Sequence, residues 1–257
     1  MKTMLKLTAV TGALCLVSAA WAGGAHYKAE HHREYKVERG EYLTGDFHQH
    51  SLYTDGSHPF ELMMEENNVY PDWWANSEHG GSRNRDGEGA SWLDTSKYPV
   101  NPILGDNADS GSMWRWQSLR DFVYPQILDA RKLYRHKTVI SGVEQNVPGH
   151  EHSSTAIRQF DGTATAISEF EYRFDKSDKD TSRNGEPSVI PGMSPLSKTN
   201  ANKADALAGV AWMQALVDAG IGDAWMVPAH VERARSYTVE DFRNWMDAGP
   251  DVAFGFE

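Results

Sequence analysis

Two pairs of histidines occupy alternating positions in the chain, His48 with His50 and His150 with His152. Successive side chains of an extended segment point to opposite faces, so the two imidazoles of each pair project on the same side. A single histidine beside a strand more often makes a structural hydrogen bond, but two on one side can hold one cation. The spacing therefore predicts binding of a divalent metal ion such as Zn²⁺, Mn²⁺ or Fe²⁺.

Further histidine and glutamate side chains stand at the ends of predicted strands. Glu78 and His79 follow an apolar, tryptophan-containing segment, Glu144 closes "VISGVE", and His230 closes "AWMVPAH". The carboxyl ends of parallel strands meet at one face of an α/β fold, and ligands bind at that face. We therefore expect these residues to lie together with the first histidine pair.

The composition of this set predicts more than one ion. It holds imidazoles and carboxylates without a thiolate, and it offers more ligands than one four-coordinate ion uses. Two or three ions that share a bridging carboxylate would use this excess. Glu144 is the predicted bridge, because it ends a central strand and has histidines before and after it in the chain.

Strands and helices that alternate along the chain must position these side chains. Strands are predicted at "YLTGDFH", "VYPDWWANSEH" up to about Ser77, "KTVISGVE", "SSTAIRQF", "AISEFEYRF", "AWMVPAH" and "DVAFGFE". Helices are predicted from Pro59 to Asn67, within "SMWRWQSLRDFVYPQILDARKLYRH" with a kink at Pro125, over "KADALAGVAWMQALVDAG" with a stop at Gly220, and after a capping box at Thr238 to Asp241. The alternation predicts a mostly parallel sheet covered by helices, with about six strands against the eight of a complete TIM barrel.

Two long polar stretches interrupt the alternation, Gly80 to Gly111 and Asp175 to Asn200. Their content of Gly, Asn, Asp and Ser predicts loops. Loops of such length inside a domain are usually functional or disordered. We therefore expect the specificity for a substrate to reside in them.

The N-terminus and the composition restrict localisation and partners. Residues 1–22 combine early lysines, a short apolar run with the only cysteine, and a small-residue cleavage site, which predicts a secretory signal peptide. Residues 23–41 are predicted to form a polar arm, and the mature chain is expected to be secreted or periplasmic, without a membrane span. The 36 acidic and 25 basic residues give a formal charge of −11, which argues against a nucleic-acid partner and favours a small molecule or a cation.

Four motifs, in this order, resemble those of the polymerase and histidinol phosphatase (PHP) superfamily. The segment "DFHQHSLYTDGS" is similar to the first motif, an HxH after a short strand followed by a (S/T)DG turn. Glu78-His79 is similar to the second motif, "SGVE" with Glu144 to the third, and Ala229-His230 to a later one. The resemblance covers the chain from about Asp46 to its end.

The resemblance implies an α/β fold, namely a distorted (β/α)₇ TIM-like barrel. It also implies up to three divalent ions (Zn, Mn or Fe) and hydrolysis of phosphate mono- or diesters, with a small-molecule phosphate ester as substrate. The implied metal ligands are His48, His50, Asp55, His79, Glu144, His230 and one of His150 and His152.

The family pattern also implies how the ligands divide. The first histidine pair and Glu144 would hold one ion, and Glu144 would share a second ion with His230 and one member of the second histidine pair. Asp55 with His79 would begin a third site. Glu78 would orient His79 without contacting an ion itself.

Two features depart from the family pattern. Its last motif, an Asp-x-His, has no counterpart before Glu257, so we expect residues 42–257 to be a hydrolase domain whose C-terminal part is missing and whose barrel is incomplete. The stretch from Gly80 to Gly111 is not a standard feature of the family. Its Arg83 and Arg85 are candidates for binding a substrate phosphate, which a guanidinium group fits in a bidentate manner.

Metal-assisted hydrolysis is the predicted mechanism, in which a metal-bound hydroxide attacks phosphorus and no side-chain nucleophile is needed. Two other functions use similar residues. A metal-dependent amidohydrolase also carries an HxH at its first strand, although the "TDG" turn and the Glu-His pair fit that class less well. A non-catalytic periplasmic metal-binding protein needs only the ligands.

Overall fold

The structure is a computed structural model that describes residues 42–67 and 71–257. The predicted signal peptide at 1–22 and the predicted polar arm at 23–41 lie outside these residues. The described chain is a mixed α/β fold built on a curled half-barrel sheet, which does not close into a complete TIM barrel within these residues. None of the helices described combines the length and the hydropathy that a bilayer span requires.

The main sheet contains five strands, β1 (Gly45–Asp46), β2 (Trp73–Ala75), β5 (Thr138–Asn146), β6 (His152–Gln159) and β7 (Gly222–Ala229). They lie side by side in this same order. A separate antiparallel pair consists of β3 (Ser82–Arg83), at the start of the first long polar stretch, and β4 (Met113–Trp114), just after its end.

The sheet is parallel in one half and antiparallel in the other. β1, β2 and β5 run parallel, whereas β6 pairs antiparallel with both β5 and β7. The prediction of a mostly parallel sheet is therefore wrong for the second half. Only a tight turn separates β5 from β6, closed by the bond from Val147 N to Glu151 O at 3.0 Å. So short a link reverses the chain, whereas a parallel crossover needs about a dozen residues or more.

The helices described are α1 (Phe60–Asn67), α2 (Arg115–Ser118), α3 (Tyr124–Leu133), α4 (Thr165–Phe174), α5 (Lys203–Asp218) and α6 (Val239–Ala248). α3 packs against β5, α4 against β5 and β6, and α5 against β7, whereas α1, α2 and α6 pack on α3, α4 and α5, respectively. The predicted α1, the stop of α5 at Gly220 (φ 67°) and the capping box of Thr238 and Asp241 are confirmed. The kink predicted at Pro125 is a π-helical turn, Leu119–Val123, which joins α2 to α3 just before that proline.

The segment "AISEFEYRF", predicted as a strand, is helix α4. Its apolar residues Ile167, Phe170 and Phe174 stand three and four positions apart, which is the spacing of one helix face. All three are buried in the main core. The polar residues between them imitate the alternation of a strand, and this is why the prediction failed.

The segment "DVAFGFE" was also predicted as a strand, but it has no regular strand structure. It lies along the edge of β7 and makes two backbone hydrogen bonds there, from Met226 N to Val252 O and from Glu257 N to Pro228 O, both 2.9 Å. Pro228 has no N–H to donate, so a continuous ladder cannot form at this edge.

Alternation along β5 separates the core from the opposite, concave face of the sheet. Val139 and Val143 belong to the main core, whereas Ile140 belongs to a separate cluster on the other face and shares that face with Glu144. The side chains of Trp73 on β2 and Trp225 on β7 meet across this face, with ring centroids 5.7 Å apart. Since two strands lie between them, the contact reflects the curl of the sheet.

A glycine lets neighbouring strands approach just before Glu144. A Cβ atom on Gly142 would lie 2.4 Å from the carbonyl oxygen of Asn76. The Asn76 side chain also accepts from Gly142 N at 3.0 Å and donates to Gly142 O at 2.8 Å. The "SGVE" segment thus needs its glycine to bring Glu144 beside the end of β2.

The stretch from Gly80 to Gly111, predicted as a loop, is more ordered than its composition suggests. The Asp86 carboxylate accepts hydrogen bonds from Glu88 N and Ala90 N, each at 2.9 Å, and from Tyr98 Oη at 2.6 Å. Trp92 is buried and stacks against Tyr53. These contacts fix the stretch against the turn that carries Asp55.

Two buried carboxyl groups face each other at the end of α4. Glu171 and Asp178 are both 0% exposed, and each leaves one oxygen without a hydrogen-bond donor among the described residues. Burial raises the pKa of Glu171 well above its usual range and raises the pKa of Asp178 to about 6. Two facing oxygens of this kind can share one proton, which explains why neither has another partner.

Asp178→Asn is expected to stabilise the fold more at about pH 8 than at about pH 5. The folded chain holds a proton on Asp178 up to a pKa of about 6, against about 3.9 in the unfolded chain. Its stabilising contribution is therefore present at low pH and lost as the pH rises through the folded value. An amide could still accept from Lys198 and donate to Glu171. Thermal unfolding at the two pH values measures the effect.

Asp223→Asn, at an exposed position, controls for the loss of one negative charge. An equal gain in Tm at both pH values for Asp178→Asn would contradict the shared proton.

Candidate metal centre

The carboxylate of Glu144 is the centre of a histidine cluster. Glu144 lies near the end of β5 and is 0% exposed. Its Oε1 atom lies 3.0 Å from Nδ1 of His152 and 3.0 Å from Nε2 of His230. Its Oε2 atom faces a second group of imidazoles, so both carboxylate oxygens are enclosed.

Three more histidines surround the Oε2 atom of Glu144. Its distances are 2.9 Å to Nδ1 of His79, 3.2 Å to Nε2 of His50 and 3.6 Å to Nε2 of His48. His48 and His50 also contact each other, with their Nε2 atoms 3.1 Å apart. The alternating pair therefore points to one side, as the spacing predicts.

Neighbouring strands explain how these distant residues meet. The backbones of His79 and Glu144 form a parallel bridge, which extends the pairing of β2 with β5. His48 follows β1, and His230 follows β7. His152 is the first residue of β6, and because β6 is antiparallel its beginning lies where β5 ends. The ends of β1, β2, β5 and β7 and the beginning of β6 thus meet at the cluster.

Asp55 closes the outer side of the cluster. Its Oδ1 atom lies 3.3 Å from Nδ1 of His50, and its Oδ2 atom lies 3.3 Å from Nε2 of His79. The carboxylate is about half exposed, whereas Glu144 is fully buried. The cluster therefore has a buried inner carboxylate and an outer one that faces solvent.

Glu257 joins the cluster, although the sequence analysis did not select it as a ligand. Its Oε1 atom lies 2.7 Å from Nδ1 of His48, and its Oε2 atom accepts from Ser154 Oγ at 3.1 Å. The missed signal was the rule already applied to the other strands, since Glu257 closes the apolar segment "DVAFGFE".

These residues form four overlapping groups whose potential ligand atoms lie within 4.8 Å of one another. The groups are His48, His50 and Glu144; His79, Glu144 and His152; His50, Asp55 and His79; and His48, His230 and Glu257. Each group shares a member with another. Several groups can thus hold a metal ion, and Glu144 belongs to two of them.

The hydrogen bonding inside the cluster fits metal ligation. Oε2 of Glu144 and Nδ1 of both His50 and His152 are buried and have no hydrogen-bond partner among the described residues. His152 Nδ1 is only 3.0 Å from the carboxylate, so the missing bond reflects orientation and not distance. Buried polar atoms without partners are costly. Imidazole nitrogens and carboxylate oxygens around a common point are a donor set that Zn²⁺, Mn²⁺ and Fe²⁺ accept.

The cluster strongly perturbs its own titration. Burial would raise the pKa of Glu144, but the surrounding histidines His152, His48, His50 and His79 outweigh burial and hold it far below its usual range. Burial lowers the pKa of His48, but the Glu144 and Glu257 carboxylates outweigh it and raise that pKa to about 10.

The outer side follows the same pattern. Burial lowers the pKa of His79, but Glu144 and Asp55 raise it above its ordinary value. Burial raises the pKa of Asp55, but the positive charges of His79 and His50 lower it below its ordinary value. The arrangement therefore favours ionised carboxylates surrounded by positive charge, which metal cations can supply.

His150 lies outside the cluster, and His152 lies inside it. The His150 ring stacks on Tyr237 with centroids 4.5 Å apart, and its Nδ1 atom is 3.0 Å from the carbonyl oxygen of Ser236. His150 belongs to the turn between β5 and β6, so it does not share the extended backbone of His152. The structure thus brings only one member of the second pair to Glu144.

His152→Ala is expected to weaken metal binding by more than about tenfold, and His150→Ala to leave it unchanged. Only the first substitution removes a nitrogen from the Glu144 group. Metal titration of both variants by calorimetry separates them, and each serves as the control for the other. Equal losses of affinity in the two variants would contradict the assignment.

Two of the other predicted residues, Glu78 and Arg85, hold the turn before Asp55. The Glu78 carboxylate is 0% exposed and accepts from Ser51 N at 3.1 Å and from Thr54 Oγ1 at 2.6 Å. It therefore orders the turn between His50 and Asp55, whereas the family pattern implied that it would orient His79. The Arg85 guanidinium likewise donates to Thr54 O.

Arg83 has a different environment from Arg85. Its side chain is exposed and makes no hydrogen bond or ion pair within residues 42–67 and 71–257. Its charge helps to lower the pKa of Asp55, and it opposes the rise in the pKa of His79 that Glu144 and Asp55 cause. Of the two arginines, Arg83 is therefore the one with a free cation on the outer side of the cluster.

His230 has an unusual backbone. Its φ angle is 54°, in the left-handed region that non-glycine residues rarely adopt. Strain of this kind persists where the surrounding structure enforces it, and it concentrates at functional sites. Here it accompanies the turn of the His230 ring towards Glu144 at the end of β7.

A cleft of about 570 Å³ opens beside the first histidine pair. Its walls combine these ligands with side chains from α1, and they include His48, Gln49, His50, His58, Leu62, Met63 and Glu66. The cluster is thus accessible to a small molecule. Comparisons with protein-family models, with curated protein sequences and with solved structures gave no match to this chain.

Proposed function

We propose that the chain is a metal-dependent phosphoesterase of the PHP superfamily in which Glu144 bridges divalent ions. The observation that carries the proposal is a fully buried carboxylate contacted by nitrogens of five histidines from separate segments. One imidazole would suffice for a structural hydrogen bond. Five imidazoles around one carboxylate are better explained by ions between them.

The proposed ligand sets follow the geometric groups. His48 and His50 with Glu144 would hold one ion, and His79 and His152 with Glu144 a second. A third ion would lie on one side or the other, with Asp55 or with Glu257. The identity of the ions is proposed as Zn, Mn or Fe, because the donor set contains no thiolate.

The proposed reaction is hydrolysis of a phosphate mono- or diester. Divalent ions held in these groups would activate water near neutral pH and neutralise charge on the phosphate. The chain's own contribution is to hold the imidazoles against Glu144 and to exclude solvent from that carboxylate. The cleft beside His48 and His50 would admit the ester.

The finer fold and the location are part of the same proposal. The parallel order of β1, β2 and β5, with ligands at their carboxyl ends, supports a distorted (β/α)₇ barrel. The small size of the cleft and the formal charge of −11 support a small-molecule substrate over a nucleic acid. The N-terminal sequence supports action outside the cytoplasm after removal of residues 1–22.

A substrate panel tests the proposed function. The purified chain, supplied with Mn²⁺ or Zn²⁺, is assayed with p-nitrophenyl phosphate, bis-p-nitrophenyl phosphate, an anilide and a lactone. Turnover of a phosphate ester that disappears with chelator supports the proposal. Turnover of only the anilide or lactone identifies an amidohydrolase, and bound metal without any turnover identifies a binding protein. Either of these outcomes overturns it.

Arg83→Ala is expected to raise KM for the phosphate ester about tenfold with a smaller change in kcat, because it removes one charge-assisted contact to the phosphate. The exposed, unpaired guanidinium beside Asp55 and His79 is the physical reason. Steady-state kinetics measures the effect. Arg158→Ala removes an exposed arginine on β6 and is the control. An unchanged KM in Arg83→Ala would exclude this contact.

A further inference from the structure

Arg115 is a buried cation that the sequence analysis did not select. It is the first residue of α2 and is 1% exposed. Burial lowers its pKa, and the charges of Glu78 and Glu171 act in the opposite direction. A guanidinium group this deeply buried requires partners for its N–H groups.

The partners of Arg115 lie on two different ligand-bearing segments. Its Nε atom donates to the carbonyl oxygen of His79 at 2.8 Å, and its Nη2 atom donates to the carbonyl oxygen of Tyr53 at 3.0 Å. Its Nη1 atom donates to Ser118 Oγ at 2.6 Å, which fixes the group from its own helix. One planar group thus spans the segment before Asp55 and the segment of His79.

Backbone contacts hold the second segment at two further points. Arg115 N donates to Gly81 O at 2.7 Å, and Gly81 N donates to Oε1 of Glu171 at 2.9 Å. On the other side of His79, the Glu78 carboxylate holds the turn that leads to Asp55. The segment from Glu78 to Gly81 is therefore tied to buried charged side chains along its length.

The two segments meet again at the outer metal group. That group consists of His50, Asp55 and His79, and the Asp55 carboxylate oxygens lie 3.3 Å from a nitrogen of each histidine. The Asp55 side chain is about half exposed, and its position depends on the turn that carries it. Arg115 holds this turn and the backbone of His79 at one fixed separation.

We propose that Arg115 is a positioning residue that sets the separation of Asp55 and His79 and thereby determines whether the outer group holds an ion. The inference rests on the proposed metal centre. Arg115 itself contacts no ligand atom. It acts through two carbonyl oxygens, and the planar fork of a guanidinium can bind both at once in a geometry that an ammonium group does not reproduce.

Arg115→Lys keeps the charge and removes the fork, so it is the test variant. Arg173→Lys is the matched control, because Arg173 is also buried and donates to two carbonyl oxygens, those of Pro195 and Ser194, away from the metal groups. Each protein is dialysed against limiting Mn²⁺, and bound metal per chain is measured by elemental mass spectrometry. KM and kcat are measured at limiting and at excess Mn²⁺.

Arg115→Lys is expected to bind the ion of the outer group, the most weakly bound one, about 10-fold to 100-fold less tightly than the wild type. Its kcat should fall at limiting Mn²⁺ and recover at excess Mn²⁺, whereas Arg173→Lys, which also loses a buried guanidinium, should keep its kcat at both concentrations. Arg173→Lys should keep the wild-type affinity for every ion. Wild-type metal content and affinity in Arg115→Lys would overturn the inference while leaving the proposed function intact.

Ser118→Ala keeps the experiment informative if Arg115→Lys does not fold. It removes only the hydroxyl that holds Nη1. The affinity for the same ion is expected to fall several-fold, which corresponds roughly to the loss of one charged hydrogen bond or less. An unchanged affinity for that ion would count against the inference. A wild-type chain that binds no metal at all would instead overturn the proposed function and this inference with it.

Discussion

Glu144→Gln is expected to lower kcat/KM for a phosphate ester by at least about a hundredfold, since even residues that only support metal ligands cost up to that factor. The amide has the same shape as the carboxylate but no charge, so it cannot bridge two cations. The same variant should lose bound metal, because Glu144 belongs to two of the ligand groups. Steady-state kinetics and elemental analysis of the same preparation measure both effects.

Glu169→Gln is the matched control for this substitution. Glu169 is also buried, but it pairs with Arg173 at 2.7 Å and takes no part in the histidine cluster. Its substitution should leave the metal content at the wild-type value. A Glu144→Gln protein that keeps its ions and its turnover would contradict the bridging role.

Removal of metal is the second change with a large expected effect. Without ions the Glu144 carboxylate remains buried among imidazoles, and the Nδ1 atoms of His50 and His152 lack partners within the described chain. At a metal concentration about a thousandfold above Kd, binding to the folded state alone stabilises it by about 4 kcal/mol. For a domain of this length that corresponds to roughly 10 °C in Tm. Calorimetry before and after dialysis against a chelator measures the change.

Turnover should disappear with the metal and return when Mn²⁺ or Zn²⁺ is added back. Glu144→Gln provides the internal control, because its Tm should respond much less to the same addition. A wild-type Tm that is the same with and without metal would show that the cluster does not bind ions in the folded state.

Much of the candidate site was accessible from the sequence because one physical rule covers it. Apolar strands end near the ligand face of an α/β fold, and polar side chains just after them meet. The rule selected His48, His79, Glu144 and His230, all of which the structure brings together. Glu257 obeys the same rule, because it closes the apolar segment "DVAFGFE", but it was not predicted as a ligand.

The choice between His150 and His152 was not accessible from the sequence. Both residues fit an alternating pattern, and only the position of the turn after β5 distinguishes them. That turn depends on backbone bonds between Val147 and the residues that follow, which composition does not reveal. The same turn makes β6 antiparallel to β5. One local feature therefore explains why the choice between His150 and His152 stayed open and why the predicted direction of β6 was wrong.

Arg115 illustrates a second limit of the sequence. Its neighbours are apolar, with Trp114 and Trp116 on either side, and such a pattern does not distinguish a buried arginine from an exposed one. Burial here depends on carbonyl oxygens from segments far away in the chain. Long-range polar contacts of this kind leave no periodic signal. The case of α4 is different, because its sequence does carry the spacing of a helix. It was predicted as a strand because apolar and polar residues also alternate in it.

The central claim is that metal ions lie between Glu144 and the histidines around it. Anomalous X-ray diffraction from crystals grown with Zn²⁺, recorded on both sides of the zinc absorption edge, tests this most directly. Anomalous peaks are expected at about 2.0–2.2 Å from the Glu144 oxygens, with His48, His50, His79 or His152 nitrogens at similar distances. Crystals without an anomalous peak at Glu144, in a protein whose histidines keep the same contacts, would contradict it.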